Sequence, residues 1–375
     1  MYVKGVGQTR YGITDKFLWQ LGHEAVGKAL ADADMTMKDI DAMVITNLDF
    51  ATNGERQRHS ASLFSSVLKT NIPIIRQPSA CASGGSAIWT ANQLDEFDNV
   101  LVLGAEKLLS MSSQTITTEF MMGAESRWEQ DEGLIFPTQN ALAAQQYMIR
   151  YGVTTDDLAL IAHKNHQNAK LNPKARFYGK DVSLDAIKSS NVVTSPFRLM
   201  DCSVSVDGAA AIVLSNDKTD VELIGSSLFT DYLPSFERSM TWFDATRMAA
   251  ATAYRQAGLT PKDIDFAEVH DAFTMLELIS YEDLGFAKIG QGVELVRDGS
   301  TKIDGRLPVN ASGGLKAKGH PVAATGVGQV VEVVNQLRGK CGDRQINNPK
   351  IGLAQNIGGA GGTIIVNILK KVMGG

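Results

Sequence analysis

The sequence has only three cysteines among 375 residues, without a repeating spacing, which argues against a disulfide framework. It has no apolar run near the roughly 20 residues needed to cross a bilayer, and its start, "MYVKGVGQTRYG", lacks the apolar stretch of a secretory leader. Basic residues are in the minority, 36 Lys and Arg against 41 Asp and Glu, and the net charge is -5. A general nucleic-acid binder needs the opposite balance to displace counterions, so that class is set aside. No low-complexity linker interrupts the chain. The expectation is a reduced, cytoplasmic globular protein, with no membrane segment and no nucleic-acid partner. At 44% hydrophobic residues, and with a length beyond what one core usually fills, two structural units are expected.

An internal repeat supports the two units. "AVGKALADADMTMKDID" (25–41) and "AAATAYRQAGLTPKDID" (249–265) match at 8 of 17 positions with an offset of 224 residues. In each copy Ala recurs every four residues, at Ala25, Ala29 and Ala33 and at Ala249, Ala253 and Ala257, which lays small side chains along one helical face for close packing. A Lys-Asp-Ile-Asp turn follows each helix, then a strand-like run, "AMVITN" (42–47) or "FAEVH" (266–270). Further runs at 99–106, 209–215, 350–356 and 362–369 are apolar on both faces, as in strands covered by helices on each side. The predicted fold is α/β, built from two similar halves. The first comprises 1–115 and 201–220, the second 221–375, and 116–200 is a polar, helical insertion in the first.

Small-residue loops near helix starts collect the candidate chemistry. Cys81 stands in "QPSACASGG", after the strand-like "IPIIRQ" and before a helical pattern. Unpaired N–H groups and the dipole at a helix start favour a thiolate; a buried, inert small residue fits the local context equally. His320 lies in "NASGGLKAKGHPVAATGVGQ", again a glycine-rich loop feeding a helix, and His270 closes "FAEVH". Each histidine taken alone reads more readily as structural. His163 and His166 share a helix face without the carboxylates or cysteines of a metal cluster, so no metal is expected. The glycines of "QNIGGAGG" (355–362) call for positive φ or a closely approaching ligand. No G-x-G-x-x-G follows a first strand, which disfavours dinucleotide binding.

These blocks in this order, "GVGQTRYG", "QPSACASGG", "VLGAEKL", "KNHQNAKLNP", "DCSVSVDGAAAIVL", "HDAF", "GGLKAKGHPVAATG" and "NIGGAGGT", resemble the thiolases over essentially the whole chain, in particular the archaeal and sterol-carrier-protein-X types. The resemblance implies a fold of two βαβαβαββ halves in five layers, α-β-α-β-α, with an inserted loop domain. It implies that Cys81 accepts an acyl group from acyl-CoA and that His320 activates it. His270 and His320 would bind an enolate oxygen, and the N–H groups of Cys81 and Gly358 would hold a tetrahedral intermediate. Ser203, Gly314 and Lys316 would meet the CoA arm. No permanent cofactor is implied beyond CoA thioester substrates.

Many thiolases carry a second cysteine where this chain has Asn356 or Ala272. The group that takes the α-proton is left open among His270, His320 and the freed thiolate of Cys81, with Cys202 and Cys341 as weaker substitutes. The implied reaction is condensation of two acetyl-CoA to acetoacetyl-CoA and its reverse, feeding the mevalonate route. A homodimer or tetramer is implied, in complex with 3-hydroxy-3-methylglutaryl-CoA synthase through a small OB-fold and zinc-ribbon protein. The alternatives are a degradative 3-ketoacyl-CoA thiolase, a decarboxylating ketoacyl synthase or the hydroxymethylglutaryl synthase itself, and a non-catalytic CoA-binding scaffold.

Overall fold

The computed structural model describes residues 1–47, 57 and 59–372. The first half runs β1 Tyr2–Gln8, α1 Leu18–Asp32, β2 Ala42–Thr46, α2 Ser60–Leu68, β3 Ile74–Arg76, α3 Ser83–Ala91 and β4 Asn99–Glu106. The chain then leaves the sheet for α4 Ser113–Met121, α5 Phe136–Tyr151 and α6 Thr155–Lys170, and returns as β5 Gly208–Ser215. The second half repeats the plan with β6 Val221–Thr230, α7 Asp244–Ala257, β7 Phe266–Glu268, α8 Thr274–Asp283, α9 Thr325–Arg338, β8 Ile351–Gly358 and β9 Thr363–Lys371.

Strand order is β3-β2-β4-β5-β1-β6-β9-β8-β7. Within the first half β1–β5 and β5–β4 are antiparallel, and β4–β2 and β2–β3 parallel. The second half copies this: β6–β9 and β9–β8 are antiparallel and β8–β7 is parallel. The counterpart of β3 is reduced to a single parallel bridge, Ala267 to Val309. The halves meet edge to edge at one residue pair, Tyr2 with Glu222. α1 and α2 cover the outer face of the first half, α7 and α8 that of the second, and α3 and α9 lie between, touching strands of both halves.

The repeated alanines are explained by these contacts. A Cβ on Gly5 or Gly7 of β1 would fall 2.2 Å from the carbonyl oxygens of Ala29 and Ala25, and one on Gly225 of β6 would fall 2.5 Å from that of Ala253. Helix backbone therefore rests directly on strand backbone, which only small residues on both sides permit. The Lys-Asp-Ile-Asp turns are both short 3₁₀ segments, closed alike by Thr36 with Asp39 and Thr260 with Asp263.

One carboxylate pins the base of the excursion. Asp207, just before β5, accepts from the N–H groups of Leu108 and Leu109 at 2.8 and 2.9 Å and from Lys107 Nζ at 3.0 Å, tying its last residue to its first. The sequence reading missed β1 and β6, because glycines and exposed charges interrupt their apolar pattern.

Candidate active site

A cavity of about 380 Å³ opens where the excursion folds back over the junction of α3 and α9, and Cys81, His270, His320, Ser203 and Gly359 all line it. Cys81 sits in the 3₁₀ turn Ala80–Ala82 that leads into α3. The turn is strained, with Ala80 at φ 49°, and is held by Ser83, whose hydroxyl accepts from Ser79 N–H at 2.8 Å and donates to the Ala80 carbonyl at 2.5 Å. The backbone N–H of Gly359 donates to the sulfur, as does Cys81's own N–H. Gly358, one residue earlier, is instead the last residue of β8, paired with Thr363, and its carbonyl accepts from Gly361 and Gly362. The offset arises because the chain turns at Gly359, whose φ of 60° swings that amide out of the ladder.

The expected thiolate is absent from the resting site. Burial is the main cause that pushes the Cys81 thiol up to about 11; the buried Glu106 carboxylate adds to it, against the two amides. The start of a helix does not outweigh desolvation here. His320 is pushed the other way by burial, down to about 3, and is a neutral imidazole at physiological pH. Its Nδ1 lies 2.7 Å from Thr325 Oγ1, the first residue of α9. His270 is lowered well below 6.5, first by burial and then by His320, whose ring stands edge-on at 5.3 Å between centroids.

His270 is positioned by a buried polar framework. Its N–H donates to Gln355 Oε1 at 3.1 Å, and its Nδ1 lies 3.1 Å from Asn356 Nδ2. Asp271, the next residue, accepts from Leu315 N–H at 2.6 Å, Lys316 N–H at 3.3 Å and Asn165 Nδ2 at 2.8 Å. These bonds tie the segment of His270 to the turn that precedes His320. Burial and the neighbouring Glu277 raise Asp271 to about 6 despite Lys316.

Two residues that the resemblance assigns to the CoA arm do not line this cavity. Gly314 does not face the cavity: a Cβ there would fall 2.3 Å from Asp271 Oδ2, and φ is 62°, so its glycine serves the Asp271 contact. Lys316 is buried, and its Nζ donates to the Asp201 carbonyl at 2.6 Å. Both lie in a tight turn that faces the protein interior, so neither reaches the cavity. Ser203 does line it, and so does Cys202, whose thiol burial raises to about 11. Cys341 is buried beside Glu332, outside the cavity lining.

Sequence reasoning missed Gly359, Thr325 and Gln355, and saw Asn356 only as a position without a thiol. Among the described residues no cluster of three or more His, Cys, Asp or Glu could hold a metal, and no helix is long and apolar enough to cross a membrane. Leu109, Ile116, Phe120, Phe136 and Leu276 give the cavity an apolar lining, and Ile116 and Phe120 share a cluster with Cys81.

Comparison with known proteins agrees with this architecture. The thiolase N-terminal domain model matches residues 5–218 and the thiolase C-terminal domain-like model residues 229–371. The chain is 39% identical to the acetyl-CoA acetyltransferase of Methanothermobacter thermautotrophicus, covering 98% of this chain and 99% of that one. It is 34% identical to sterol carrier protein 2 of Homo sapiens, over 99% of this chain and 72% of that protein. A solved structure, the Ltp2-ChsH2(DUF35) aldolase, superposes with a TM-score of 0.83 at 25% identity, covering 99% of this chain and 97% of that one. The chain belongs to the thiolase family. As a member it is an acyltransferase.

Proposed function

We propose that the protein transfers acyl groups between CoA thioesters through an acyl-Cys81 intermediate, condensing two acetyl-CoA to acetoacetyl-CoA and catalysing the thiolytic reverse. The observation that carries this is the single cavity lined by a thiol, two neutral imidazoles and a turn amide already donating to the sulfur. Because the thiol rests protonated, His320 takes its proton as the sulfur attacks the thioester carbonyl. The oxyanion then accepts from the N–H groups of Cys81 and Gly359, the C–S bond to CoA breaks, and CoA leaves with the proton His320 had taken. His270 polarises the carbonyl of the second thioester, His320 takes its α-proton, and the enolate carbon attacks the acyl-cysteine, whose C–S bond breaks with the electron pair and that proton returning to the Cys81 sulfur. Ser203 contacts the arm of CoA, under the cover of the excursion.

The similarity to the acetyl-CoA acetyltransferases of Methanothermobacter thermautotrophicus and Methanocaldococcus jannaschii supports acetyl transfer; the reading sets it at the head of the mevalonate route, in the cytoplasm. The reading includes a homodimer or tetramer and a complex with 3-hydroxy-3-methylglutaryl-CoA synthase bridged by an OB-fold and zinc-ribbon protein; similarity to the Ltp2-ChsH2(DUF35) aldolase supports a second protein in the assembly. The apolar lining favours a second reading, a 3-ketoacyl-CoA thiolase acting on longer chains. The test is mass spectrometry after acetyl-CoA. A mass gain of one acetyl group on Cys81, absent from Cys81→Ala, supports the reading, and acetylation that survives Cys81→Ala rejects it.

A further inference from the structure

The side chain of Asn356 makes three hydrogen bonds, and their directions can be worked out without locating a hydrogen. Its Oδ1 lies 3.0 Å from the backbone nitrogen of Gly85, and its Nδ2 lies 3.1 Å from the carbonyl oxygen of Cys81. A backbone N–H can only donate and a backbone carbonyl can only accept. Reversing the amide would set two donors against each other at Gly85 and two acceptors at Cys81, so the orientation is fixed. The remaining hydrogen of Nδ2 points to His270 Nδ1 at 3.1 Å.

That nitrogen must therefore offer a lone pair, which excludes both the imidazolium and the Nδ1–H tautomer. The ring is neutral with its proton on Nε2, and Nε2 makes no hydrogen bond to any described residue, while the ring lines the cavity. His320 is held differently. Its Nδ1 meets the hydroxyl of Thr325, a rotor that accepts or donates as required. A proton on Nδ1 leaves Nε2 of His320 free to accept.

We infer that Asn356 is a positioning residue that locks His270 as a permanent Nε2–H donor, so that His320 alone carries the protons of both half-reactions. This rests on the acyl-Cys81 reading above. The protons balance with one base. His320 takes the Cys81 proton and gives it to the departing CoA sulfur; it then takes the α-proton of the second thioester. The enolate carbon bonds to the acyl carbon, the Cys81–acyl bond breaks with its electron pair returning to sulfur, and His320 returns its proton there. An amide at position 356 cannot replace a cysteine as acid or base, and in this scheme it has no need to.

The direct test reads the tautomer in the resting protein. With ¹⁵N-histidine labelling, and His270→Gln to assign the signal, His270 should show a pyridine-like Nδ1 and a protonated Nε2, unchanged from about pH 5 to 9. A protonated Nδ1, or titration within that range, overturns the proposal. Asn356→Asp places a carboxylate against Nδ1 and should draw a proton there. Condensation should fall by roughly 10-fold or more, with a new ionisation in its pH profile. An unchanged profile in the folded variant also overturns it. Should that variant fail to fold, the wild-type spectrum decides alone, and because it needs no turnover it is independent of whether Cys81 is acylated.

Discussion

The two halves of the molecule differ most at one topological position, the link between the last two strands. In the first half the chain leaves β4 at Glu106 and regains β5 at Gly208, with four α-helices and a small hairpin in between. In the second half the same link is the turn Gly359–Gly362 between β8 and β9. The long link supplies most of the cavity's apolar wall together with Cys202, Ser203 and Ser205; the short one supplies the amide on the sulfur. A repeated fold thus keeps one link tight where an atom must be placed within tenths of an ångström, and expands the other where a surface must be shaped. On the proposed function, the short link serves the chemistry and the long one the choice of substrate.

The largest effect that can break this comparison comes from Gly359→Ala. With φ at 60° the new residue is strained and the amide is displaced, yet the nearest atom to its Cβ is 3.3 Å away, so the fold should survive. Single-turnover acetylation of Cys81 should slow by roughly 10²-fold, equally for every acyl-CoA tested. Selective loss with one chain length would assign specificity to the short link instead.

Next in size is an effect of acid on the long link. His166 of α6 is packed edge-on against Phe177 and lowered from 6.5 to about 4, first by burial and then by Lys316 and His163. Between those values the unfolded chain binds a proton that the native protein refuses, so stability falls as pH falls from 6.5 toward 4. His166→Phe should remove up to roughly 3 kcal/mol of that loss, read as a shallower decline of Tm on the acid side. An unchanged slope would mean that His166 is already charged in the folded state.

Phe120→Ala, in the wall built by α4, should raise kcat/KM for longer acyl-CoA relative to acetyl-CoA by about 10-fold, while acetylation of Cys81 by acetyl-CoA stays near wild type. Equal loss for all substrates would give the long link a share in the chemistry. The smallest expected effect is a flat line. With Cys81 at about 11 and His320 at about 3, neither ionises near neutrality, so the acylation rate should vary little between roughly pH 5 and 9. A bell-shaped profile centred near 7 would show that substrate binding resets both groups.

Much of the architecture was legible because the repeat is written in small residues whose spacing has a packing cause, as at Ala25 and Ala29 against Gly7 and Gly5. The loops that carry Cys81 and His320 were legible for the same reason, since glycine and serine cluster where backbone must approach closely, whereas His270 was marked by closing the strand-like "FAEVH". What stayed hidden depends on three-dimensional pairing. Nothing in "KAKG" tells that the Lys316 ammonium turns inward to the Asp201 carbonyl. Nothing in "QNIGG" tells which of two adjacent glycine amides leaves the ladder, or that Asn356 spends both its hydrogens on Cys81 and His270. Which of the two readings of Cys81 applies at rest was also hidden, because local context shows dipoles and amides but not the volume of low-dielectric protein that raises the thiol.

The contact between α3 and α9 limits how this molecule can move. A Cβ on Gly326 would fall 2.2 Å from Gly85 N, and one on Gly84 would fall 2.7 Å from Val327 N, so the two helices approach main chain to main chain, with the amide oxygen of Asn356 seated at the contact and bonded to Gly85 N–H. Side chains can switch rotamers and let packed elements slide; bare backbone in contact offers no such compliance. Close backbone contact of this kind resists sliding of one half on the other at the junction beside Cys81 and His320, so on the proposed function the entry of a bulky thioester falls to the covering excursion.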